Sequence, residues 1–118
     1  MLDTSPLDAA VERFADRLRA APQSRLLRGA AAEALELARE LALRAQRLEE
    51  PEGAAPARVV PDAGLFVVGD QVAVAGLDLA EALRAAEAGG GADGAKAPSE
   101  MLDEAVALVE RAEIRAMR

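Results

Sequence analysis

The stretch from Arg25 to Glu50 constrains the fold of this chain most, because its apolar residues recur at alternating intervals of four and three. Such spacing keeps side chains on one stripe of an α-helix, so it predicts a single long helix here. Most positions in the stripe are Ala, which lets a facing helix approach closely. This Ala seam consists of Leu27, Ala31, Ala34, Ala38, Leu41, Ala45 and Leu48.

Alanine also limits the apolar surface that the chain can bury. Of 118 residues 30 are Ala, so a hydrophobic content of 52% includes only about thirty larger apolar residues. Burying a Leu or Val side chain contributes roughly 1.5–3 kcal/mol, and an Ala methyl contributes well under half of that. The helices must therefore pack closely or bury surface against another chain. We expect a homodimer or other homo-oligomer.

Two segments rich in Pro and Gly divide the chain. They lie near residues 51–58 and 89–98, and neither a helix nor a central strand accommodates their composition, so flexible linkers are predicted. The remaining halves, 5–50 and 61–117, carry apolar residues at helical spacing. We therefore predict one helical domain over residues 1–118, an all-α antiparallel four-helix bundle.

Residues 65–75 admit a second interpretation. Their β-branched residues surround the pair Gly69-Asp70, the pattern of a two-residue β-hairpin, and a hairpin there would make the fold α+β. Apolar residues also recur every three or four positions from Pro61 to Ala88, which predicts one helix in which Gly69 and Gly76 each cost roughly 1 kcal/mol. A lone hairpin is marginally stable in water, whereas a helix completes the bundle. We favour the helix.

The side-chain chemistry excludes most enzyme classes. The chain has no His and no Cys, so it lacks the commonest general base, the thiolate nucleophile and the usual zinc, copper and haem ligands. Glu33, Glu36 and Glu40 share a helix face, which we interpret as a solvated surface rather than a metal site. We expect no enzyme, no cofactor and no metal; an enzyme that uses only carboxylate and Arg groups is a remote alternative.

Charge and hydropathy limit the partners. With 14 basic and 21 acidic residues the net charge is -7, which opposes nucleic-acid binding. The arginines from Arg13 to Arg28 form the only basic region, without Tyr or Trp for base stacking. No apolar run is long enough for a membrane span, and residues 1–6 do not resemble a signal peptide. We expect a cytoplasmic protein without nucleic-acid or membrane partners.

These observations favour a small acidic helical protein that acts by protein–protein interaction. It would bind its own copy through the Ala seam and then a larger partner. Four large apolar residues fall on the mixed face of the helix in the second half and are predicted partner contacts: Phe66, Val67, Val74 and Leu77. The alternative is a ligand-sensing regulatory module. Its apolar pocket would be lined by Phe14, Val68, Val72 and Val109.

Overall fold

Four long helices pack together in the computed structural model, which describes residues 1–50, 53, 56, 58–90 and 96–118. In chain order the elements are α1 (Ser5–Ala20), the one-turn α2 (Gln23–Arg25), a π-helical turn (Leu26–Ala30), α3 (Ala31–Glu49), α4 (Val68–Ala88) and α5 (Pro98–Met117). These ranges contain no strand. The all-α prediction is therefore confirmed, and the α+β alternative with a hairpin over 65–75 is wrong.

Each long helix has an antiparallel neighbour. At one end of the pair α1–α4, Arg19 binds Asp70 at 2.7 Å, and at the other end the Nη1 of Arg84 donates to the Oγ1 of Thr4 at 2.6 Å. The late residues of α1 thus face the early residues of α4. In the same way α3 and α5 run antiparallel, because ion pairs join Arg115 to Glu33 and Arg44 to Glu104.

The connection from α3 to α4 turns back along α3. The buried side chain of Gln46 holds this return: its Nε2 donates to the carbonyl of Pro56 at 2.8 Å, and its Oε1 accepts from the backbone N–H of Arg58 at 2.7 Å. Nearly two turns earlier in α3, Arg39 donates to the carbonyl of Val60 at 3.0 Å. As a result α3 and α4 begin at the same end of the bundle, although they are consecutive in the sequence.

One hydrophobic core lies between the helices, and α4 packs against α1, α3 and α5. Its largest fully buried side chains come from all four long helices: Phe14, Leu7, Leu41, Leu79, Leu83, Val72 and Val109. Small residues fill the space between these, since Ala15, Ala38, Ala80 and Ala105 are each 0% exposed. The Ala content therefore serves close helix packing within the chain.

The helix predicted from Arg25 to Glu50 is interrupted at Gly29. The backbone there has φ 143° and ψ −16°, a conformation that other residues adopt only with strain. The turn that contains it has π-type hydrogen bonding, and α3 begins only at Ala31. The prediction of one continuous helix over this stretch is wrong, because apolar spacing does not register a single residue with positive φ.

The helix predicted from Pro61 also starts later, at Val68. Residues 58–67 complete the return along α3, so they cannot also extend α4 at its N-terminal end. The predicted linker near 51–58 lies mostly outside the described residues, and so do residues 91–95 of the linker near 89–98. Of the second linker, Gly89 and Gly90 form a turn at the end of α4.

Candidate interaction surface

The outer face of α4 and the turn just before it carry the four residues predicted as partner contacts, here called the α4 patch. The exposed fraction is 79% for Phe66, 38% for Val67, 58% for Val74 and 59% for Leu77. Val67, Val74 and Leu77 follow one another at intervals of seven and three residues, so they share one side of the helix. All four predicted residues therefore lie on the solvent-facing surface, and partner binding there stays a prediction.

The turn before α4 holds Phe66 at one end of the patch. Gly64, with φ 102°, reverses the chain, and the Nε2 of Gln71 donates to the carbonyl of Pro61 at 2.8 Å. This bond ties the first turn of α4 to the returning segment. Leu65 packs partly buried against the core, while the side chain that follows it is left in solvent. Phe66 is thus exposed because its neighbour takes the inward position.

The residues of the α4 patch are not part of the hydrophobic core. The buried residues of α4 lie on the sides that contact the other helices: Val68, Gly69, Val72, Ala75, Gly76, Leu79, Ala80, Ala82 and Leu83. A helix whose other sides are covered, and which still presents large apolar side chains to solvent, is typical of a contact surface.

An ion-pair cluster borders the patch at the junction of α1 and α4. Arg19 binds Asp70 at 2.7 Å and Asp16 at 3.0 Å. The hydrogen bond to Asp70 is the main reason that the pKa of Arg19 is raised above its ordinary value, and the bond to Asp16 adds to it. All three side chains are exposed, so the pairs contribute little to stability. Two carboxylates share one guanidinium, which leaves this edge of the patch negative.

The Ala seam lies largely inside the chain's own core. Ala34, Ala38, Leu41 and Ala45 are 0–1% exposed, while Ala31 and Leu48 are partly buried. A second copy could reach the four central residues only if the bundle opened. The homodimer therefore stays a prediction, and it would have to use another surface.

The first residue of the seam, Leu27, does not pack in the core of the chain. It is 65% exposed, whereas its neighbour Leu26 is 3% exposed and belongs to the core. The break at Gly29 turns the residues before it out of register with α3. Leu26 thus takes the inward position that uninterrupted helical spacing assigns to Leu27.

The predicted pocket residues are packed against the rest of the core. Phe14, Val68, Val72 and Val109 are 0–3% exposed and belong to the same hydrophobic cluster. A cleft of about 430 Å³ lies elsewhere, between α3 and α5, and charged groups share its lining with apolar ones. Its walls are formed by Glu36, Leu37, Arg39, Glu40, Leu43, Leu108, Ala112 and Arg115.

Arg13, Arg17 and Arg25, near the first turn, bind groups on α5. Arg13 and Arg17 bind the two carboxylate oxygens of Glu113 at 3.2 and 3.1 Å, and Glu113 is only 6% exposed. Arg25 donates to the carbonyl of Met117 at 2.9 Å. The basic segment thus fastens α5 to the α1–α3 junction, a role that its sequence did not predict.

Neither a metal site, nor a membrane-spanning helix, nor a known relative indicates a function for the part of the chain that the structure describes. Among the described residues, no three carboxylates lie close enough to hold a metal ion. No helix built from those residues combines the length and the apolar character that crossing a bilayer requires. Neither a protein family, nor a curated protein, nor a solved structure matches the chain. Its function must therefore be argued from its own surface.

Proposed function

We propose that this protein is a non-catalytic helical module that binds another protein through the outer face of α4. The observation that carries the proposal is the exposure of Phe66, in the turn before α4, and of Val74 and Leu77 on α4 itself, each between 58% and 79%. The helix packs against three others and still leaves these side chains in solvent. When a partner covers large apolar side chains, their surface is removed from water, and this burial favours binding.

The rest of the molecule supports a binding role. The chain has no His or Cys, so a catalytic role would have to do without the commonest general base and without a thiolate nucleophile. The most buried carboxylate in the described part of the chain, Glu113, is held by two arginines and joins α5 to α1. A chain without Cys forms no disulfide, which fits the proposed cytoplasmic location, where disulfides are rare.

Photocrosslinking tests the proposal directly. A benzoylphenylalanine at Val74 places the reactive group in the α4 patch, and one at Glu110 places it on the exposed side of α5 as a matched control. In cells of the native host we expect a discrete crosslinked product from position 74 that Leu77→Ser abolishes. Equal products from both positions, or a position-74 product that survives Leu77→Ser, would contradict binding through this face.

Self-association is tested separately. Light scattering behind a size-exclusion column distinguishes the 12.3 kDa chain from a dimer. A concentration-dependent dimer that Leu77→Ser dissociates would mean that a second copy occupies the α4 patch. A monomer at all concentrations would show that the homodimer predicted from composition is wrong, while the binding of another protein stands on the crosslinking result.

A further inference from the structure

Carboxylates dominate the surface around the α4 patch. On α1, Asp8, Glu12 and Asp16 follow one another every four residues on the side that also carries Arg19. Because Arg19 binds Asp70, and because Thr4 accepts a hydrogen bond from Arg84, this row of α1 lies along α4. On α4 itself the exposed acidic residues beside the patch are Asp70, Asp78 and Glu81, while a fourth, Glu87, lies beyond them in the last turn of the helix. We call the six carboxylates other than Glu87 the acidic rim.

Few cations balance the acidic rim. Arg19 is shared between Asp16 and Asp70, and Arg84 binds the hydroxyl of Thr4. Arg58, whose own salt bridge is to Glu49, lies near enough to Asp78 for a favourable charge interaction. Three guanidinium groups thus stand beside the six carboxylates of the rim, so the rim keeps a net negative charge at neutral pH. The negative potential extends about a Debye length, roughly 10 Å at 0.1 M salt, which covers whatever docks on the patch.

The negative sign of this potential favours some binding partners at the patch and opposes others. A second copy related by a two-fold axis would bring two acidic rims together, and like charges facing each other across an interface oppose association. Nucleic-acid phosphates and anionic lipid headgroups are repelled for the same reason. A cationic protein surface is attracted and also gains from covering the apolar side chains.

The shape of the patch fits one helix. Leu77 comes 11 positions after Phe66, which at a rise of 1.5 Å per residue corresponds to roughly 16 Å, or about three helical turns. A helix with apolar residues at positions i, i+3 or i+4, and i+7 presents a stripe of that length. Lys or Arg on either side of such a stripe would face the acidic rim.

Resting on the proposed function, we propose that the α4 patch binds a cationic amphipathic helix of a partner protein. The apolar stripe of that helix covers Phe66, Val74 and Leu77. Its Lys and Arg side chains pair with the acidic rim, mainly with Asp78 and Glu81, because Asp70 and Asp16 already share Arg19. The interface is small, so we expect binding that is weak and that depends on salt.

The test uses two fluorescein-labelled peptides of about 14 residues, long enough to span the patch as a helix. One has Leu at positions i, i+3, i+4 and i+7 and Lys on the opposite side, so that a helix has one apolar and one cationic face, and the other has Glu at every Lys position. Fluorescence anisotropy measures the dissociation constant of each peptide with the full-length protein. We expect the Lys peptide to bind at least about tenfold more tightly than the Glu peptide. Raising NaCl from about 50 to about 300 mM should weaken that binding by roughly tenfold.

Matched variants separate the patch from general attraction to an acidic protein. Phe66→Ser with Leu77→Ser should weaken binding of the Lys peptide at least about tenfold, whereas Leu27→Ser with Ile114→Ser, which removes equally exposed apolar groups elsewhere, should not. Asp78→Asn with Glu81→Gln should weaken it about fivefold or more, whereas Asp103→Asn with Glu110→Gln, an equal change of charge on α5, should not.

The results separate this inference from the proposed function. If neither peptide binds, if both bind alike, or if the control pairs weaken binding as much as the patch pairs, the cationic helix is wrong. In that event a position-74 crosslink that needs Leu77 would still support protein binding through α4. A dimer dissociated by Leu77→Ser would assign the patch to a second copy and would likewise overturn the cationic helix.

Discussion

Gly76 of α4 lies directly against Val11 of α1, so close that a Cβ at position 76 would stand 2.7 Å from both methyl carbons of Val11. Real Cβ atoms do not approach other heavy atoms to this distance. One heptad earlier, a Cβ at Gly69 would be 3.1 Å from the carbonyl oxygen of Ala15. The two glycines therefore set how closely α1 and α4 approach, and with it the position of the α4 patch beside the row of carboxylates on α1.

Gly76→Ala should destabilise the protein although Ala favours a helix. The gain in helix propensity is about 1 kcal/mol, while forcing Val11 and α1 away costs about 1–3 kcal/mol, so we expect a net loss of up to about 2 kcal/mol. Urea denaturation measures it. Gly89→Ala is the matched control, since its Cβ would make only ordinary contacts at 3.5 Å, and it should change stability by less than about 0.5 kcal/mol.

Val11→Ala provides the internal check on that explanation. In the original background it removes two buried methyl groups and should destabilise the bundle, but together with Gly76→Ala it makes room for the added Cβ. The two losses should therefore not add, with a coupling of about 1 kcal/mol or more. Strict additivity would show that the contact between residues 11 and 76 does not explain the effect.

The value of Gly76 shows where sequence reasoning reached its limit. Apolar spacing every three or four residues identified the regions of all four long helices, because that period depends on each helix alone. Propensity counted Gly69 and Gly76 against α4, since it evaluates a residue by itself. Their role depends on which residues of α1 face them, and spacing within one helix does not reveal that.

Of the candidate surface, too, one part could be predicted from the sequence and another could not. Phe66, Val74 and Leu77 could be predicted as exposed, because they are large apolar residues away from the main stripe of their own helix. The α1 half of the acidic rim could not, because Asp8 and Asp16 come alongside α4 only when the bundle is assembled. Long-range packing therefore supplies the charge that distinguishes one partner from another.

Leu26→Ala and Leu27→Ala should have very different effects despite their adjacent positions. Leu26 is 3% exposed and Leu27 is 65% exposed, so truncating Leu26 should cost about 2–4 kcal/mol and truncating Leu27 less than about 0.5 kcal/mol. Thermal and urea unfolding of both variants measures the difference. Equal effects would mean that the chain does not break its helical register at Gly29.

Ala38→Leu should destabilise the core. Ala38 is 0% exposed in the middle of α3, where additional side-chain volume has no free space, so we expect a loss of about 1–3 kcal/mol. The same substitution at Ala32, an exposed position of the same helix, should change stability by less than about 0.5 kcal/mol. If both variants melt like the parent protein, the Ala seam is not closely packed.

The carboxylate of Glu113 should depend on both of its arginines. It follows Val109 by four residues on the apolar side of α5 and is 6% exposed, so it is held by Arg13 and Arg17 rather than by water. Removing both arginines by mutation to Ala leaves a buried charge without its partners and should cost about 2–4 kcal/mol.

Two comparisons check the explanation for Glu113. Glu113→Leu in addition to the two Ala substitutions removes the charge and should recover part of the loss, because no buried carboxylate then needs a partner. Glu110→Gln changes an exposed carboxylate one turn earlier and should have little effect. If the triple variant were no more stable than the double variant, the loss would come from the packing of the arginine side chains and not from charge.

Glu104 should titrate at a pH that depends on Lys96. Two hydrogen bonds hold the pKa of Glu104 below its ordinary value of 4.5. The one from Lys96 has the larger effect and the one from Arg44 the smaller. A lowered pKa means that the pair stabilises the fold above the unfolded pKa and that this contribution is lost as pH falls through the folded pKa. Carboxyl ¹³C NMR titration should show a higher pKa for Glu104 in Lys96→Met and a smaller rise in Arg44→Met, while Lys96→Arg, which keeps the charge, should leave it low. An unchanged pKa in Lys96→Met would mean that Lys96 does not pair with Glu104 in solution.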